Sequence, residues 1–64
     1  MNFSIGDLVS INNPRNPKKC FGVIIKSLPT SVFEGGEKAQ IVTILYPDSS
    51  LEEVMSWDIR KFNA

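Results

Sequence analysis

Histidine is absent from these 64 residues, and Cys20 is the single cysteine. Together these shortages exclude an intrachain disulfide and Cys/His zinc sites of the usual kinds, and they leave no thiol–imidazole pair for nucleophilic catalysis. No apolar run approaches the roughly 18–20 residues that a membrane-spanning helix needs. Met1-Asn2-Phe3-Ser4 has neither the charged nor the apolar region of a signal peptide. A cytoplasmic protein with no membrane partner is expected, and one cysteine suits a reducing compartment. No glycine-rich phosphate cradle precedes a helical pattern. Glu52 and Glu53 are neighbours on an expected strand, so their carboxylates point to opposite faces and cannot work as a pair. The expectation is a non-enzyme with no catalytic residues, cofactor, metal site or small-molecule substrate.

Net charge is also lacking: seven Lys and Arg balance seven Asp and Glu. The chain therefore has no net positive field of the kind that dedicated nucleic-acid binders carry. The balance is uneven along the sequence. Arg15, Lys18, Lys19 and Lys26 face only Asp7 in the first 27 residues, and six acidic residues outnumber Lys38, Arg60 and Lys61 in the rest.

What the sequence does have is a series of short β patterns. Backbone ordering costs roughly 1–2 kcal/mol per residue, so one small domain of residues 1–64 must rely on a well-filled apolar core or on self-association. Residues 8–12 alternate with Val9 and Ile11 on one face. Residues 13–19 form a polar loop, where Pro14 and Pro17 disfavour regular pairing. A second strand is expected over 20–28 with Phe21, Val23 and Ile25 inward. Gly22 within it marks a bulge or a close backbone crossing. Residues 29–37 read as a long connection, with Gly35-Gly36 supplying a turn. A third strand over 39–46 places Val42, Ile44 and Tyr46 on one face and Ile41, Thr43 and Leu45 on the other. Pro47-Asp48-Ser49-Ser50 reads as a turn, residues 51–55 as a fourth strand, 56–59 as a helical turn capped by Ser56, and 60–62 as a closing strand. Val9, Ile11, Val23, Ile25, Val42, Ile44, Val54, Ile59 and Phe62 are the expected core, with Ile24 and Leu45 facing outward.

The sequence Gly6-Asp7-Leu8-Val9, then Gly22-Val23-Ile24, then Val42-Thr43-Ile44-Leu45-Tyr46 with Asp48-Ser49, and finally Asp58-Ile59 resembles the small SH3-like barrels. That group holds SH3, Tudor and KOW-type modules, and the likeness is nearest to short stand-alone versions from bacteriophages and bacteria. It implies an all-β, five-stranded SH3-like barrel over residues 3–63, with a helical turn before the last strand. If the origin is phage, the location would be the host cytoplasm. The motifs report core packing and turn geometry, so they specify fold more than function. Ser49 departs from the pattern by standing where glycine is usual, which favours a type I turn or a three- to four-residue loop over a two-residue type I′ turn.

Two loops remain for function. Val32 and Phe33 lie in an unusually apolar connector, where they either fold over an open barrel end or project to meet a partner. With Trp57, a residue type enriched at interfaces, they make the expected protein-interaction surface. The first function expected is therefore a protein-interaction or assembly module with self-association open to it. The alternative is a nucleic-acid-binding accessory protein whose Arg15, Lys18 and Lys19 grip phosphates. An aromatic cage for a methylated cation would need more free rings than Tyr46 and Trp57 supply.

Overall fold

The computed structural model describes residues 3–12 and 14–62. Asn13, which opens the expected loop 13–19, and Asn63, which ends the expected barrel, lie outside the described residues. Five strands run in chain order: β1 (Leu8–Ile11), β2 (Phe21–Glu34), β3 (Glu37–Leu45), β4 (Leu51–Met55) and β5 (Ile59–Lys61). They form one antiparallel sheet in the order β4-β3-β2-β1-β5, open along its β4 and β5 edges. Short 3₁₀ turns occupy Pro17–Lys19 and Ser56–Asp58, and no α-helix occurs among the described residues. The fold is therefore all-β, and among the described residues no helix is long and apolar enough to cross a membrane.

Local chemistry explains the connections. Asn16 caps the first 3₁₀ turn by accepting the Lys18 N–H on Oδ1 at 2.9 Å, and Pro17 stands at its first position. Gly35 and Gly36, at φ 60° and 83°, link Glu34 to Glu37 as a two-residue hairpin, a geometry that needs two positive φ angles. The expected connector 29–37 is thus mostly strand: β2 runs on to Glu34 and β3 begins at Glu37, with an irregularity between Pro29 and Phe33. At the next turn the Ser49 N–H donates to the Tyr46 carbonyl at 2.9 Å, and the Tyr46 N–H donates to the Ser50 carbonyl at 2.9 Å. This is a three-residue loop, one of the alternatives expected at Ser49, but it still holds that serine at a positive φ of 70°. Ser56 does not cap the second 3₁₀ turn; its hydroxyl accepts the Gln40 N–H at 2.9 Å instead.

The inward face of β2 is opposite to the expected one. Ile24 is fully buried, whereas Val23 and Ile25 are 37% and 40% exposed. Val9 pairs with Gly22, so Gly22 shares the inward face of Val9, and Ile24 follows by alternation. Continued strictly, that alternation would carry Lys26 into the core. A bulge between Ile24 and Lys26 inserts Ile25 and returns Lys26 to solvent. Gly22 permits the close crossing: a Cβ there would lie 2.7 Å from the Leu45 carbonyl oxygen and would also strike Ile44 Cγ2.

The core consists of Phe3, Val9, Ile24, Val42, Ile44, Tyr46 and Ile59, with Ile11 and Val54 packed against it. Phe62, expected inside, is half exposed and instead sets its ring against Phe21, with centroids 6.2 Å apart. Phe3 enters the core because Gln40 clamps it. The Phe3 N–H donates to Gln40 Oε1 at 2.9 Å, while Gln40 Nε2 donates to the Phe3 carbonyl at 3.0 Å and to Ser27 Oγ at 2.8 Å.

Candidate functional site

Three regions compete for function. The first is a cleft of about 550 Å³ between the β1–β2 loop and the β3–β4 end of the sheet. Arg15 and Lys19 line it, but so do Glu52 and Asp58. Lys18 does not line the cleft; it is exposed on the 3₁₀ turn. Lys19 Nζ lies 5.6 Å from the centre of the Tyr46 ring, within cation–π range. The Tyr46 hydroxyl donates to Glu52 Oε1. Burial first, then that hydrogen bond and the nearby Glu52 and Asp48 charges, push the Tyr46 pKa well above its ordinary value, so the phenol stays protonated. Two cations set against two carboxylates make the cleft charge-balanced, which suits a structural network better than a phosphate grip.

The second region holds the expected apolar anchors. Val32 and Phe33 project near the tip of the β2–β3 hairpin, 47% and 61% exposed, and do not close over the core. Trp57 sits on the second 3₁₀ turn, with its carbonyl accepting from Asn12 Nδ2 at 3.3 Å. These residues occupy separate elements: Phe33 pairs with Lys38 in the hairpin, while Trp57 is tethered to the end of β1.

The third region was missed by reading strands singly: the face of the sheet turned away from the core. Cross-strand partners share a face, so the registers define rows across it. Leu51 pairs with Leu45, Leu45 with Val23, and Val23 with Leu8. The Phe62 N–H then donates to the Leu8 carbonyl at 2.9 Å, placing Phe62 at the end of the row. All five residues are exposed, and the row crosses β4, β3, β2 and β1 and ends just beyond β5. Next to it Lys26 pairs with Thr43 and Thr43 with Glu53, and beyond them Leu28 pairs with Ile41 and Ile41 with Met55. Apolar rows thus flank a central row whose two ends carry opposite charges. The signal lay in the sequence as Leu45, Leu51 and Val23, but only the register joins them.

Among the described residues no group of three or more His, Cys, Asp and Glu is placed to hold a metal ion. Every buried side-chain nitrogen or oxygen among them also has a hydrogen-bond partner. Cys20 is free and partly buried. Comparison with known proteins finds no matching family model, curated protein or solved structure.

Proposed function

We propose that the protein is a non-enzymatic protein-interaction or assembly module, built as a small SH3-like barrel, that docks through the outer face of its sheet. The strand order β4-β3-β2-β1-β5, the bent β2 and the 3₁₀ turn before β5 support the barrel reading. The observation that carries the function is the apolar row Leu51, Leu45, Val23, Leu8 and Phe62. Scattered surface leucines are ordinary, but a contiguous apolar strip across a whole sheet is a feature of binding surfaces. Val32 and Phe33 at the hairpin tip and Trp57 on its turn are secondary anchors outside this strip. Phosphate binding by Arg15, Lys18 and Lys19 is the weaker reading, because Glu52 and Asp58 offset the two cations in the cleft.

Affinity capture from the native cell separates these readings. Proteins retained by the wild-type chain should persist as salt is raised and be lost with Leu45→Lys or Val23→Lys, both exposed positions. Retention of the same proteins by both variants overturns the docking face. Salt-sensitive retention of nucleic acid that Arg15→Glu with Lys19→Glu abolishes would favour the alternative instead.

A further inference from the structure

The outer face of β2, β3 and β4 complements itself, and we infer that its occupant is a second copy of this chain, an inference that rests on the docking face proposed above. The central row runs Lys26, Thr43, Glu53, with Thr43 on the middle strand and the opposite charges on either side. Two strand spacings, about 9–10 Å, separate Lys26 from Glu53, with Thr43 between them. Among the described residues neither makes a salt bridge within the chain.

A two-fold axis lying between two such faces, parallel to β3 and above Thr43, exchanges the positions over β2 and β4. It sets Lys26 of each copy over Glu53 of the other, and Thr43 over Thr43. The same operation sets Leu45 over Leu45, Val23 over Leu51, Ile41 over Ile41 and Leu28 over Met55. Each apolar side chain of these three rows on β2, β3 and β4 then meets an apolar one and each charge its opposite, as an isologous interface requires. An axis running across the strands would instead oppose Lys26 to Lys26 and Glu53 to Glu53, so the charge pattern selects one arrangement. The sheets would stack about 10 Å apart with the two copies of β3 running parallel.

The three matched rows on β2, β3 and β4 cover well under the ~800 Å² per partner of a standard interface, so the dimer is weak and depends on concentration. Sedimentation equilibrium at rising concentration provides the test. The wild-type mass should climb toward twice the 7.1 kDa of one chain. Lys26→Glu or Glu53→Lys alone should each weaken association by roughly tenfold or more, because both contacts then become like-charged. The two variants mixed in equal amounts should form a heterodimer, and the double variant carrying both reversals should dimerise like wild type. Both side chains are exposed, and far-UV circular dichroism checks that each variant is folded. A wild-type chain that stays monomeric at every concentration overturns the inference. So does a dimer indifferent to both reversals. In that second case dissociation by Leu45→Lys would preserve the wider docking face while discarding this register, so the two failures are distinguishable.

Discussion

Gly22→Ala offers a test in which geometry decides the sign of the effect. The backbone at Gly22 does not need a positive φ. Without a steric obstacle, alanine there would restrict the unfolded chain and stabilise the protein by about 0.4–1 kcal/mol. The obstacle is substantial, however. The new methyl would lie 2.7 Å from the Leu45 carbonyl oxygen and collide with Ile44 Cγ2. The Ile44 side chain could yield only within a filled core, and the Leu45 oxygen belongs to the paired backbone of β3. Overpacking costs about 1–3 kcal/mol, and backbone involvement places this case near the upper end. A net loss of about 2 kcal/mol is expected. A domain of this size holds only about 3–10 kcal/mol in total, so the loss would be plain in urea unfolding followed by Trp57 fluorescence, with the slope against urea unchanged. A neutral or stabilising Gly22→Ala would refute the close crossing of β2 over β3 and the inward face assigned to Gly22.

Other perturbations probe separate parts of the fold. Ile24→Ala should cost about 2–5 kcal/mol, whereas Ile25→Ala on the bulge should cost less than about 1 kcal/mol; equal losses in the same urea experiment would undo the assignment of faces. Ser49→Gly relieves the left-handed backbone at φ 70° and should gain about 0.5–1 kcal/mol after the extra entropy of glycine is subtracted, seen as a higher unfolding midpoint. The Tyr46 pKa is raised on folding by burial and by Glu52, so the unfolded chain releases that proton first as pH climbs. The tyrosine's contribution is therefore complete below about pH 10 and is lost above it, at up to about 1.4 kcal/mol per pH unit. Tyr46→Phe should lack this component of the alkaline decline, and identical decline in both proteins would contradict the burial of Tyr46 and its hydrogen bond to Glu52.

The residues that announced themselves in the sequence were those in regular alternation. Val9 and Ile11 on β1, Val42, Ile44 and Tyr46 on β3, and the span of β4 are found where period two puts them. β2 was misread because one inserted residue changes the phase of a strand, and Val23, Ile24 and Ile25 are interchangeable by hydrophobicity. In the folded sheet Gly22 faces inward and Lys26 outward although they lie an even number of residues apart, and the bulge that reconciles them is visible only in the register. Val32 and Phe33 looked like loop residues because Pro29 and the two glycines suggested irregularity, yet the chain pairs on either side of the turn. The basic loop was legible as charge but not as a cleft, since Glu52 and Asp58 reach Arg15 and Lys19 only through the fold. The outer apolar row was the hardest to see. Its five members come from distant parts of the sequence, and cross-strand register is a property of the folded sheet.

The most direct measurement of the docking face is the change in each backbone amide resonance as the protein passes from dilute to concentrated solution. The largest shifts are expected at Val23, Lys26, Thr43, Leu45 and Glu53, on the outer sides of β2, β3 and β4. Shifts confined to Val32, Phe33 and Trp57 or to the loop 14–19, or no shifts at all, would contradict self-association through that face.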